Sequence, residues 1–447
     1  MISGKRVIIL VLALSALAAL MVSRVGSQQQ TYTPADMPKL MEVTWNEDVM
    51  AGTDPELMKS LLQRGQLIII NEHAKKVKWL ITSGVLVNAK PETIFAAIKD
   101  YSHYQNFMPE TEKVTSTELN GPNIVELSMT LKIKITKEIA LPVPYSIIHY
   151  HRPPYRSDWT KHTGNFEENS GFYQFVPVDG GKQTMLFYTI YSLPRLPIAT
   201  SLFKKDPNLE MVINMSVAAM VTRSLKKYVE KLEGREPFIP GKGAGNLIES
   251  LSKDPKTINL LLKRGGLIMI EDGPPMWATT AVSMDASPEE VFKSIAAFEQ
   301  YPCYQSQVIQ TAVKEKAANS AKVAFQLKVD YALLNVPLKY TMAYSLTPPN
   351  GMTWKWAEGD VPTQRGSWTF LPLEGGAKTL AFFRQTEDLK TLPGFGGYGV
   401  KTAIASEATL EPAILGSQAL ITARSTRNFI NMPAAKRSEK LAKCPKK

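Results

Sequence analysis

The sequence predicts an α+β protein made of two tandem domains, each a curved antiparallel sheet wrapped on a long C-terminal helix. Three observations lead there: blocks of the chain recur in the same order, each set of blocks contains a run of alternating strands, and each set closes with one long helix. GFYQFVPVDGGKQTMLFY at Gly171 returns as GSWTFLPLEGGAKTLAFF at Gly366, 195 residues on. DPELMKSLLQRGQLIII at Asp54 returns at Asp254, AKPETIFAAIKDYSHY at Ala89 returns as ASPEEVFKSIAAFEQY at Ala286, and LEMVINMSVAAMVTRSLKKYV at Leu209 returns as LEPAILGSQALITARSTRNFI at Leu410. The order is kept while the offset drifts by a few residues, which is the mark of a duplicated domain and not of a short-period solenoid. The copies span 54–232 and 254–431, each long enough for its own core. Between them, 233–253 is rich in Gly, Pro and charge and reads as a linker, and 432–447 reads as a basic, structureless tail.

Within the first copy, an amphipathic helix from Pro55 stops at Gly65 and leads into the apolar strand Leu67–Ile70 and a longer strand from Trp79 to Val87. Pro91 opens the next helix, where the first turn tolerates proline, and Phe95, Ile98 and Tyr101 fall on one face of it. From Val114 to Tyr191 the pattern is strands and turns only. The closing helix gathers Ile213, Met220, Tyr228 and Val229 on one side, and its counterpart gathers Ile414, Ile421, Phe429 and Ile430. A sheet and a helix with one apolar face each must bury those faces together, and a strongly curved sheet leaves a cavity beside a single helix.

AKPETIFAAIKDYSHYQNFMP and ASPEEVFKSIAAFEQYPCYQS, each with its later strand pair, resemble the SRPBCC superfamily of START-like, helix-grip domains, nearest its polyketide-cyclase and coenzyme Q-binding branch. The resemblance covers both copies. It implies a cavity for a hydrophobic molecule such as a lipid, sterol, quinone or polyketide. A minority of the superfamily are enzymes.

The aromatic residues Tyr145, Trp159, Tyr340, Tyr344 and Trp354 are the candidate cavity lining, with Tyr173, Trp356 and Trp368 beside them. All five histidines lie in the first copy: His73, His103, His149, His151 and His162. His149 and His151 are two apart on a strand and share a face, with His162 on a neighbouring segment, an arrangement open to zinc or acid–base chemistry. The repeat supplies a control, because Tyr344 and Leu346 stand where His149 and His151 do. The expectation is therefore a lining role for both, with no catalytic residue, metal or cofactor. Arg384 lies in an apolar strand where the first copy has Thr189, and is read either as an anchor for a ligand head group or as a solvated cation. Arg223 and Arg424 match across copies and are read as structural. GFGGYGVKT at Gly394 lacks the Gly-Lys-Ser/Thr succession of a phosphate loop and reads as an apolar gate, as does LPRLP at Leu193.

The chain begins with Lys5 and Arg6, followed by an apolar stretch from Val7 to Val22. At 1.5 Å per residue this stretch spans roughly 24 Å, short of a hydrocarbon core of about 30 Å, so 1–27 reads as a signal peptide ahead of an N-terminal anchor. The expected location is exported: periplasmic or secreted, with a membrane anchor as the alternative. Without Lys5, Arg6 and Arg24 the net charge falls from +11 to +8, which for an exported chain favours an anionic membrane surface, and no nucleic-acid-binding motif is present. Cys303 and Cys444 make no disulfide framework, and the sequence leaves their pairing open. The function read from all this is an exported binding or transfer protein for a hydrophobic ligand. The alternatives are a polyketide-cyclase or aromatase-like enzyme using His149 and His151, and an envelope interaction module without ligand.

Overall fold

The computed structural model describes residues 45–444 apart from 73, 75–76, 109, 135–139, 196–206, 236–246, 253, 332–333 and 407–409. The segment 1–27, His73, most of the linker and the first gate beyond Arg195 lie outside the described residues. The chain opens with helix α1 (Pro55–Leu62), strands β1 (Gly65–Asn71) and β2 (Leu80–Val87) and helix α2 (Pro91–Lys99). Six strands follow: β3 (Thr111–Glu118), β4 (Ile124–Lys134), β5 (Ala140–Arg152), β6 (Arg156–Gly164), β7 (Phe166–Val178) and β8 (Gln183–Pro194). The long helix α3 (Pro207–Leu232) comes next, then short helices α4 (Leu247–Ser252) and α5 (Pro255–Lys263). The second copy repeats the order with β9 (Gly265–Glu271), β10 (Trp277–Met284), α6 (Pro288–Ile295) and α7 (Tyr301–Tyr304). Its strands are β11 (Val308–Ala317), β12 (Ser320–Tyr331), β13 (Leu334–Thr347), β14 (Gly351–Gly359), β15 (Arg365–Leu373) and β16 (Lys378–Thr386). Helices α8 (Gly394–Ser406), α9 (Leu410–Ile430) and α10 (Ala434–Ala442) complete it.

Two compact units emerge. One holds Val87–Glu210 and Ser224–Pro237 with the stretch up to Val49, and the other holds Met50–Leu86, Met211–Arg223 and Phe238–Lys447. These units do not coincide with the two sequence copies, because the opening helix and strands of the first copy belong to the second unit. The reason lies in β1. Leu67, Ile68, Ile69 and Ile70 are each at most 2% exposed, so the strand is buried on both faces and needs a neighbour on both edges. It pairs antiparallel with β2 on one side and with β9 on the other, Ile68 opposite Ile268 and Leu67 opposite Met269.

Polar side chains complete that pairing. Gln66 is fully buried: its Nε2 lies 2.8 Å from Ser83 Oγ, 2.9 Å from Thr222 Oγ1 and 3.0 Å from the Ala219 carbonyl oxygen, and its Oε1 accepts from Arg223 Nε at 2.7 Å. Arg223 also binds Asp272 at 2.6 Å, and Arg424 binds Glu72 at 3.2 Å. The two matched arginines of the repeat are thus structural ties within this unit.

In the first unit the strands run in the order β8-β7-β6-β5-β4-β3, each antiparallel to its neighbours. In the second they run β11-β12-β13-β14-β15-β16-β10-β9-β1-β2, and α9 lies against β9, β10 and β16. Gly416 permits that approach, since a Cβ there would stand 2.9 Å from Ile270 Cδ1. The segment after α2 packs onto the long helix in the same way in both copies: Phe107 stacks on Tyr228 with ring centroids 5.3 Å apart, and Tyr304 stacks on Phe429 at 4.4 Å.

The repeated hairpin has two physical causes. Its turn passes through three successive left-handed residues, Asp179-Gly180-Gly181 and Glu374-Gly375-Gly376, a course that glycine takes without steric cost. Its first strand carries a glycine over which an indole lies. Trp159 pairs with Gly171 and Trp354 with Gly366, and a Cβ would come within 2.6 Å of the Trp159 ring and 2.3 Å of the Trp354 ring. The same Cβ atoms would stand 2.0 Å from the Thr189 carbonyl oxygen and 2.3 Å from that of Arg384.

The tail departs from expectation. Instead of a structureless end, α10 is a helix, and Cys444 just beyond it is disulfide-bonded to Cys303 of α7. The last turn of α10 is thereby anchored to the body of the unit, an ordering that charge composition alone does not reveal.

Gly171→Ala and Gly366→Ala are each expected to cost at least about 2 kcal/mol, because both backbone and indole must shift. Urea unfolding of each variant checks this, and a loss under about 0.5 kcal/mol, the range of an ordinary surface substitution, would contradict the close approach.

Candidate ligand cavity and the histidine cluster

In the second unit the inward residues of the sheet and one face of α9 enclose a cavity of about 100 Å³. Tyr340, Met342 and Tyr344 reach it from alternate positions of β13, with Phe325 from β12, Trp354 from β14 and Trp368 from β15. The floor is a chain of touching rings: Tyr344 with Trp354 at 6.0 Å, Trp354 with Phe383 at 5.3 Å and Trp368 with Phe383 at 4.8 Å. A wider hollow of about 330 Å³ adjoins it and shares Phe325 and Tyr340 as lining.

The rim is polar and almost uncharged. Gln305, Gln307, Gln364, Gln385 and Gln418 line the cavity together with Thr422 and Thr426, and among the described residues Glu387 is the one charged group in the lining. Burial raises the Tyr301, Tyr340 and Tyr344 hydroxyls above the usual phenol range, with the Glu387 carboxylate adding to the rise at Tyr340. All three therefore remain protonated, as hydrogen-bond donors. A site of this kind desolvates an apolar body and offers neutral hydrogen bonds.

The sequence-derived candidates divide between the units. Tyr340, Tyr344 and Trp354 line this cavity. Arg384 does not: its guanidinium binds Glu271 at 2.8 Å and lies 4.0 Å over the Trp277 ring. The gate segment at Gly394 forms helix α8. The glutamines and the threonines of α9 were not singled out from the sequence. Their signal was present in the repeat, where Met108, Val217, Val221 and Leu225 occupy the places of Gln305, Gln418, Thr422 and Thr426.

In the first unit Tyr145, His149, His151 and Trp159 are all buried and lie in a set of ring contacts. Trp159 packs on Tyr173 at 5.3 Å and on Tyr188 at 5.0 Å, and His149 stacks on His151 at 5.4 Å. The Ser157 hydroxyl bridges the two imidazoles, 3.0 Å from His149 Nδ1 and 2.9 Å from His151 Nδ1. Tyr101 OH lies 2.6 Å from His151 Nε2. His162 is elsewhere, on Glu126 at 2.7 Å. Among the described residues no group of three or more His, Cys, Asp or Glu is placed to hold a metal ion. Burial, with His151 beside it, pushes His149 well below the usual imidazole range, and burial with nearby Lys99 pushes His151 down to about 4. Both are neutral at physiological pH.

Element for element, the chain writes a strand pair, short helices, six antiparallel strands and a long helix twice. The architecture is α+β, an antiparallel sheet followed by a long helix, written twice. No protein-family model matches the chain, and no curated protein matches it. Among solved structures, it is similar to a protein from Thermus thermophilus (18% identity over 34% of this chain and 98% of that one, TM-score 0.29). It is also similar to the di-domain ARO/CYC BexL (12% identity, 79% and 99% coverage, TM-score 0.25) and to a STAR-related lipid transfer protein from Xanthomonas axonopodis (11% identity, 38% and 94% coverage, TM-score 0.27). No residue role crosses from these proteins to this chain.

Because the folded imidazoles stay neutral where the unfolded ones charge, their contribution to stability is complete above about pH 6.5 and is lost as pH falls towards 4. Each histidine adds a slope approaching about 1.4 kcal/mol per pH unit in that window. His149→Phe with His151→Leu is expected to flatten the acid limb of a stability-versus-pH curve from chemical denaturation. An unchanged limb would show that the pair takes up protons in the folded state.

Proposed function

We propose that the chain is an exported binding or transfer protein for a hydrophobic ligand, held in the cavity of the second unit. One observation carries the reading: an aromatic-floored hollow beside the long helix, lined with neutral amides. Binding is by desolvation, at about 25 cal/mol for each Å² of apolar surface removed from water. The Cys303–Cys444 disulfide supports an oxidising compartment, in line with the apolar N-terminal stretch. No described helix is long and apolar enough to cross a membrane.

The purified full chain, sprayed under native conditions and then denatured, is expected to release a hydrophobic compound that solvent extraction also recovers. Release of nothing, together with no binding of any apolar probe, would overturn the reading.

Contact with an anionic membrane surface is proposed for α10 and its flank. Lys436, Arg437, Lys440 and Lys443 lie within about two turns, and each cation near such a surface contributes about 1 kcal/mol. Changing Lys436, Arg437 and Lys440 to Gln keeps Cys444 and its disulfide in place. The triple variant is expected to sediment with phosphatidylserine vesicles at least about tenfold more weakly than the parent at low salt, and the parent's own binding is expected to fall at high salt. Equal sedimentation of both proteins would reject the helix as the docking element.

A further inference from the structure

Polar side chains on one face of α9 line the cavity of the second unit. Gln418, Thr422 and Thr426 follow one another at four-residue spacing, so they share one face of the helix, and all three line the cavity. One of them is held in place: Gln305 Nε2 donates to Thr426 Oγ1 at 2.7 Å, and also to the Thr422 backbone carbonyl at 3.1 Å. Gln418 is different. It is 8% exposed, and its Oε1 has no hydrogen-bond partner among the described residues.

A buried acceptor without a partner destabilises a folded chain by about 1–3 kcal/mol. The fold does not require this one, since the first copy carries Val217 at the matching place, with Val221 and Leu225 below it. An amide kept there at a cost to stability is explained by a donor that arrives with a ligand. Among the described residues the lining offers no cation to an anionic head group and sets the Glu387 carboxylate against one. Its remaining polar groups, glutamine amides and protonated tyrosine hydroxyls, suit a group that both donates and accepts.

We infer that the cavity of the second unit selects an uncharged amphiphile by its hydroxyl group, which donates to Gln418 Oε1 while its apolar part lies on the aromatic floor. This rests on the binding function proposed above and adds the head-group chemistry. The floor from Tyr344 to Phe383 receives the apolar part.

Three probes with the same alkyl chain separate the cases on the full chain: 1-decanol, its methyl ether, which cannot donate, and decanoate, which is anionic. Binding is read from tryptophan emission, because Trp354 and Trp368 line the cavity. Decanol is expected to bind about tenfold more tightly than the ether, the value of one buried hydrogen bond, and decanoate more weakly than either. Gln418→Val, the first copy's own residue, is expected to remove the preference for alcohol over ether and raise the thermal midpoint of the unliganded chain. Gln418→Met gives the same readout should a β-branched residue disturb the helix. Equal binding of decanol and ether by the parent, or a preference that survives both substitutions, would overturn the inference while hydrophobic binding stands. Failure of all three probes to bind would remove the binding function itself, and the inference with it.

Discussion

Each inner sheet face depends on an indole lying across a strand that carries no side chain at the point of contact. Trp159 over Gly171 and Trp354 over Gly366 bring a large ring closer to the neighbouring backbone than any Cβ would allow. The ring then becomes the base on which the next residues stack, Tyr173 and Tyr188 in the first unit and Phe383 in the second. Aromatic pairs add about 0.5–1.5 kcal/mol each beyond the area they bury, so a connected set rigidifies the face as well as covering it. The alternation of the strands, the hairpin glycines and the position of the long helix all follow from covering that ring surface.

From one shared floor the two copies have diverged at the edges. The first carries His149 and His151, tied through Ser157, and has Val217, Val221 and Leu225 on its long helix. The second replaces the histidines by Tyr344 and Leu346 and the helix residues by Gln418, Thr422 and Thr426, and keeps a hollow. Burying amides is costly unless they are satisfied, whereas a filled aromatic interior is not.

The pairing of β1 with β9 explains why compactness and sequence repetition draw different boundaries. A strand buried on both faces has no solvent to satisfy an open edge, so its backbone groups require a neighbour on each side. The buried Gln66 and the ties Arg223–Asp272 and Arg424–Glu72 hold the register. Breaking one partner of such a network costs more than the network contributes net, because the remaining group is left unsatisfied. The matched arginines of the repeat serve this tie and not a ligand.

The order of elements, the duplication and the cavity residues Tyr340, Tyr344 and Trp354 were legible in the sequence, whereas the buried helix faces were not, since Ile213, Met220, Ile414 and Ile421 are only half-buried. A repeat reports which elements belong together. The boundaries of the compact units were not legible, because the four apolar residues Leu67–Ile70 state that both edges need partners without naming β9. The salt bridge of Arg384, the helical tail and the Cys303–Cys444 bond likewise depend on residues brought close from more than a hundred positions away. The glutamine rim lay between the two cases. Each substitution relative to the first copy was visible, but the sequence shows them scattered, and only the packing of α9 across the sheet turns Gln305, Gln418, Thr422 and Thr426 into one surface. Sequence determined what each face is made of; tertiary structure decided which faces meet, because burial is a property of an element and contact is a property of a pair.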